Sequence, residues 1–141
     1  MKKILALVLS LMLLLSMSVP AFAAEVETQD DVAPCATRTL IDSFNLSANI
    51  GGTATHSAYY SGYNRYDFEY QVMGVNGAVF NLHTTAPNAS VAYTHAYGAT
   101  AVEGKTYTRS WTLNGTYTFN LYTHHSSPYG TVIHVRVYGV R

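Results

Sequence analysis

Cysteine is all but missing. The chain of 141 residues has one, Cys35, so no disulfide within the chain can staple the fold. Cys35 lies well past the apolar start of the chain, too far for a lipoprotein signal. It reads as an unpaired thiol, or as one half of an intermolecular disulfide if the compartment is oxidising. Charge is also scarce, at 11% of residues. Beyond residue 23 Lys105 is the only lysine, and it joins Arg38, Arg65, Arg109, Arg136 and Arg141 against eight carboxylates, a net of about −2. No basic stripe exists, which removes the electrostatic footprint of a nucleic-acid binder and any attraction to an anionic membrane surface. No apolar run after residue 23 reaches the roughly 20 residues of a membrane-spanning helix. Leucine is sparse after that point as well, which argues against helices.

The first residues are a different kind of sequence. Met1-Lys2-Lys3 is basic, Ile4 to Val19 is apolar, Pro20 breaks the run and Ala21-Phe22-Ala23 is a small-x-small site. This is the grammar of a secretory signal peptide over residues 1–23, cut near Ala23. Residues 24–37 are acidic and turn-rich, without apolar alternation, and read as a flexible leader. Residues 38–141 then form one domain of ordinary size. The expected location is extracellular.

What is abundant is tyrosine, twelve of them, all beyond the signal. Threonine accompanies it, and both favour strands. Apolar alternation runs to the end, broken by turn residues every 8–14 positions. The fold class is therefore all-β: a single antiparallel β-sandwich, jelly-roll or immunoglobulin-like, of about eight short strands. From Tyr66 to Val72 the even positions face the core; beyond Asn76-Gly77, Ala78, Phe80 and Leu82 do so. Matching faces across a loop Val75–Gly77 predicts a hairpin with Val72 opposite Phe80 and Tyr70 opposite Leu82. The same logic around Asn114-Gly115 predicts a second hairpin, with Trp111 opposite Tyr117 and a ladder of Thr112–Thr116, Ser110–Thr118 and Thr108–Asn120 on the other face. The last strand, Thr131 to Val140, turns Ile133, Val135 and Val137 inward. The first, Thr39 to Ile50, turns Leu40, Phe44, Leu46, Ala48 and Ile50 inward, with Asp42 on the same face. Two further strands, near 53–60 and 90–97, mix small and aromatic residues too evenly to assign a face.

Chemistry is hard to find. The six histidines, His56, His83, His95, His124, His125 and His134, show no His-x-x-x-His or Glu-x-x-His spacing, so no metal or cofactor is expected. His124 with His134 is the pair that could share one end of a final hairpin. No Gly-x-Ser-x-Gly elbow offers a nucleophile, and no loop of carboxylates offers a calcium site. Asp67 and Glu69 share a strand face about 7 Å apart, a spacing a glycosidase could use. The remaining signal is aromatic. Tyr59, Tyr60 and Tyr63 cluster near Gly62 and are the candidate ligand-binding residues, since exposed tyrosines among neutral hydroxyls and amides suit sugar rings and protein surfaces. No catalytic residue is assigned.

The stretch Gly115-Thr116-Tyr117-Thr118-Phe119 resembles a strand common in small β-sandwich modules that bacteria export as adhesive or carbohydrate-binding units. The resemblance implies a secreted, non-enzymatic binding module whose partner is a neutral polysaccharide or a surface protein. The size and the His and Tyr richness are similar to those of small exported bacteriocins, which makes an antibacterial factor the alternative, with a small glycosidase third. Thr-rich, Lys-poor strands also do little to block edge-to-edge self-assembly.

Overall fold

The computed structural model describes residues 36–141. The expected signal peptide, nearly all of the leader and Cys35 lie outside the described residues. Eight strands follow one another: β1 (Arg38–Ala48), β2 (Thr53–Tyr60), β3 (Arg65–Met73), β4 (Val79–Thr85), β5 (Tyr93–Thr100), β6 (Thr106–Trp111), β7 (Gly115–Thr123) and β8 (Thr131–Val140). They form two four-stranded antiparallel sheets. Sheet I has the order β1-β8-β3-β6 and sheet II the order β2-β7-β4-β5. Four of the six pairings join strands nested about the β4–β5 turn, β4 with β5, β3 with β6, β2 with β7 and β1 with β8, and the pairs β3 with β8 and β4 with β7 knit them into sheets. This is a long hairpin rolled onto itself, the jelly-roll arrangement of a β-sandwich. Among the described residues there is no helix long and apolar enough to cross a membrane.

Alternation builds the core. β3 buries Tyr66, Phe68, Tyr70 and Val72; β4 buries Phe80 and Leu82; β7 buries Tyr117, Phe119 and Leu121; β8 buries Ile133, Val135 and Val137. A leucine-poor core can use tyrosine only if each phenol finds a partner, because an unpaired buried hydroxyl costs about 1–3 kcal/mol. The four buried tyrosines have one, while the buried hydroxyl of Tyr107, half-buried against the core, has none among the described residues. The Tyr60 hydroxyl donates to Asp42 Oδ2 at 2.7 Å, that of Tyr117 to the Leu113 carbonyl at 2.6 Å, and that of Tyr66 to Asn114 Oδ1. The Tyr70 hydroxyl bonds Thr84 Oγ1 at 2.7 Å. Asp42, an inward-facing acid, thus serves as an acceptor at the sandwich rim.

Both predicted hairpins are corrected. β3 and β4 belong to different sheets, as do β6 and β7, so Val75–Gly77 and Leu113–Gly115 are bends that carry the chain across the sandwich. Val72 is opposite Ile133 and Phe80 is opposite Thr123. Trp111 and Tyr117 do meet, with ring centroids 5.7 Å apart, but across the core rather than along one sheet. The expected hydroxyl ladder dissolves with them: Ser110 pairs with Asp67, while Thr118 pairs with Ser57 and Asn120 with Thr55. In β1 the inward set holds only in the middle. Leu46 and Ala48 are buried, whereas Leu40 and Ile50 are about half exposed. A bulge between Leu40 and Asp42 reverses the facing of Leu40, and Ile50 lies beyond the strand. The two strands left without a face are β2 and β5.

Candidate functional site: an uncharged sheet face

The charges divide by sheet. Sheet I carries Arg38, Asp42, Arg65, Asp67, Glu69, Arg109 and Arg136 in its strands. The four strands of sheet II contain no Asp, Glu, Lys or Arg.

On the outer face of sheet I the charges neutralise one another. Arg38 reaches Glu69 at 2.7 Å and Asp67 at 3.5 Å, while its guanidinium lies 3.6 Å from the Tyr138 ring centroid. Asp67 Oδ1 accepts from Arg65 Nε at 2.8 Å and from Ser110 Oγ at 2.7 Å. Partial burial works to raise the Asp67 carboxyl. The hydrogen bonds from Ser110 and Arg65, with the charges of Arg65 and Arg38, outweigh it and hold the group below the usual carboxylate range. A glycosidase acid needs the opposite shift, upward. Asp67 and Glu69 are the anchors of a surface ion network.

The outer face of sheet II is a lattice of neutral donors and acceptors. Its registers form rows across the strands. Thr55 is opposite Asn120, Asn120 opposite His83, and His83 opposite Thr94. Thr55 Oγ1 donates to Asn120 Oδ1 at 2.9 Å, and His83 Nδ1 is 3.0 Å from Thr94 Oγ1. In the next row Ser57, Thr118 and Thr85 align, with Ser57 and Thr118 hydroxyls 3.0 Å apart. An aromatic ring stands at each end. Tyr59, 69% exposed, lies beside Thr116. Tyr122 lies beside Thr53 and Asn81, its ring 5.2 Å from His124. Thr116 and Tyr122 are six residues apart on β7, so about 20 Å of hydroxyl and amide surface separates the two rings.

The three predicted contact residues do not share this surface. Tyr59 points outward. Tyr60, its neighbour on the strand, points to the opposite face and is 6% exposed. Its ring sits among Tyr66, Phe68 and Tyr117, which takes it out of any contact surface. Tyr63 is half-buried against the core. Its ring lies flat over Gly139, where a Cβ would stand 2.5 Å from ring carbons, and the Arg141 guanidinium lies 5.0 Å from its centroid. Only Tyr59 remains on an open face, and Thr55, Ser57, Thr118, Asn120 and Tyr122, none of them among the predicted contact residues, stand with it. Their signal was the absence of charge in four strands, which means nothing until those strands are known to be one sheet.

The histidines are dispersed. His134, on β8, bonds Asn45 Oδ1 at 2.7 Å and lies 3.2 Å from Ser43 Oγ. His124 bonds Asn81 Oδ1 at 3.0 Å. The former is on sheet I and the latter just past β7 of sheet II, so the expected pair has separate partners. Among the described residues no three of His, Cys, Asp and Glu gather as metal ligands. His56 stacks on Phe44 at 3.9 Å. His95 sits inside a cage of Tyr70, Tyr93 and Trp111, with Nε2 3.1 Å from Thr84 Oγ1. Burial, aided by Arg109 and His83, pushes its pKa down to about 4.

No family model and no curated protein sequence matches the chain. Among solved structures, PliG of Aeromonas hydrophila, described as a periplasmic lysozyme inhibitor of g-type lysozyme, is weakly similar: TM-score 0.43 and 14% identity over 77% of this chain and 90% of that one.

Proposed function

We propose that this chain is a secreted, non-enzymatic binding module that takes a neutral polysaccharide along the outer face of sheet II. The observation that carries the reading is that face: four strands without a charged residue, presenting rows of hydroxyls and amides between two tyrosine rings. A sugar ring has an apolar face and an equatorial rim of hydroxyls. Tyr59 and Tyr122 offer the flat apolar contact, and the Thr55–Asn120 and Ser57–Thr118 pairs offer both donors and acceptors to the rim. A neutral polymer pays no desolvation of ions here, whereas the ion network of sheet I would have to be broken. The face is open and shallow, so each contact exchanges against water and contributes modestly. Affinity then comes from several sugar units bound in series along the strands. The signal-like residues 1–23 support export, and no step of bond cleavage is assigned to any residue.

The test is depletion of the exported protein from solution by a panel of insoluble cell-wall and plant polysaccharides. Selective removal by one neutral polymer is expected, unchanged by EDTA. Tyr59→Ala should weaken it roughly 2- to 10-fold, the contribution of one stacked ring. Asn120→Asp, which places a charge mid-face, should weaken it as well. Depletion by none of the polymers, or depletion that Tyr59→Ala and Asn120→Asp both leave intact, would refute this use of the face.

A further inference from the structure

A two-sheet sandwich has four edge strands, and three of them here carry a device that discourages pairing with another chain. β1 has a bulge at Leu40–Asp42 and the charges of Arg38 and Asp42. β6 is short, Thr106–Trp111, and holds Arg109. β5 is broken by two register shifts against β4, and Gly98 adopts a φ of 57°. β2, Thr53–Tyr60, has none of these: its pairing with β7 is continuous, and it contains no charge and no proline. Charges, bulges and prolines are how edges are kept from pairing, and a straight neutral edge is a template for another strand.

The direction of its free groups can be read. The Thr123 N–H donates to the Gly52 carbonyl at 3.0 Å. In an antiparallel ladder this sets the alternation: Ala54, His56, Ala58 and Tyr60 bond inward to β7, while the N–H and C=O groups of Thr53, Thr55, Ser57 and Tyr59 point to the open side.

We propose that β2 pairs with β2 of a second copy of this chain, antiparallel, about a two-fold axis at His56. In that register Thr53 meets Tyr59 of the second copy and Thr55 meets its Ser57. Each outward N–H and C=O in the strand is then satisfied, and the outward side chains form β-branched–aromatic and hydroxyl pairs, the favourable cross-strand kinds. Shifting the axis to Ser57 leaves Thr53 outside the ladder, so the His56 register is preferred. A second copy fits because a neutral strand meets itself without like-charge repulsion. The chain's own residues 24–35 suit the edge poorly: Glu25, Glu27, Asp30, Asp31 and Pro34 are all strand-disfavouring. Pairing would also run one sheet through both copies, β5-β4-β7-β2 and then β2-β7-β4-β5, and join their uncharged outer faces into one. A single paired strand is a small interface, so dissociation in the micromolar range is expected.

Sedimentation equilibrium of the exported protein across the micromolar range, with hydrogen exchange at the same concentrations, tests this. Expected are a monomer–dimer equilibrium and slowing of the Thr53, Thr55, Ser57 and Tyr59 amides as dimer forms. Ser57→Pro removes an outward N–H without touching the β7 ladder, a position where an edge strand tolerates proline. Ser57→Lys places two ammonium groups diagonally across the axis. Each should weaken dimerisation about tenfold or more and leave the dilute monomer folded; if the proline variant does not fold, the lysine variant carries the test. A monomer at every concentration overturns the proposal, as does a dimer that both substitutions leave intact. Protection of those amides in a monomer, independent of concentration, also overturns it, because the chain's own segment would then cover the edge. The polysaccharide reading requires no dimer, so the two fail separately.

Discussion

His95 should make this domain acid-sensitive in a window where few side chains titrate. Its ring is 4.2 Å from that of Tyr70 and 5.0 Å from that of Tyr93, and its Nε2 ends a hydrogen-bonded chain that runs through Thr84 Oγ1 to the Tyr70 hydroxyl. The neutral imidazole can accept from Thr84, whose oxygen can in turn accept from Tyr70. A protonated ring can only donate, so it ends that relay at Thr84 Oγ1. Burial, with the cationic Arg109 and with His83 nearby, accordingly depresses the pKa to about 4. The unfolded chain, at roughly 6.5, takes up its proton first. Stability from this group is complete above pH ~6.5, is lost as pH falls, and levels off below about 4. Between pH 7 and 5 the loss is about 2 kcal/mol, or roughly 8 °C in the thermal midpoint of a domain this size. Urea denaturation of wild type and His95→Gln at both pH values measures it: the variant starts less stable at pH 7 but should lose about 2 kcal/mol less on acidification. Arg109→Gln should shrink the wild-type loss without abolishing it. Parallel pH profiles for wild type and His95→Gln would refute the reasoning, because the remaining groups are common to both.

Neighbouring tyrosines on β2 should separate cleanly by thermal or urea denaturation: Tyr60→Ala empties a core position and should cost about 3–5 kcal/mol, while Tyr59→Ala should stay within about 0.5 kcal/mol. Gly139→Ala drives a methyl into the Tyr63 ring and should cost about 1–3 kcal/mol by the same measurement, with Tyr63→Ala in the Gly139→Ala background recovering part of that loss.

Which residues face inward was legible because a strand alternates with period two, and the rule worked in β3, β4, β7 and β8. Which strand lies beside which was not. Equating the faces of Val72 and Phe80 satisfies a hairpin, but it equally satisfies two strands on facing sheets, since both turn their even residues to the same core. Asn76-Gly77 and Asn114-Gly115 are turn signals in either case, and the short loops favoured the wrong choice. The candidate site was lost with the topology. Tyr59 and Tyr60 could be told apart only once β2 had a phase, and its alanines left both faces looking alike. The uncharged face was invisible because β2, β4, β5 and β7 are scattered through the sequence and become one surface only when the chain is rolled up.

The rolled topology also sets an order of events. β4 and β5 are the one pair of strands that are both consecutive and hydrogen-bonded, so loop closure is least costly there. Each further pair encloses the last, and the outermost, from Arg38 opposite Val140 to Ala48 opposite Thr131, joins the most distant segments. β8 is not a peripheral addition, because it fills the gap between β1 and β3 and brings Ile133, Val135 and Val137 to the core. Sheet I is therefore two unconnected pieces until the final strand arrives. A chain built this way has high contact order and should fold in milliseconds to seconds. During synthesis the domain has no complete core to collapse around until β8 has emerged.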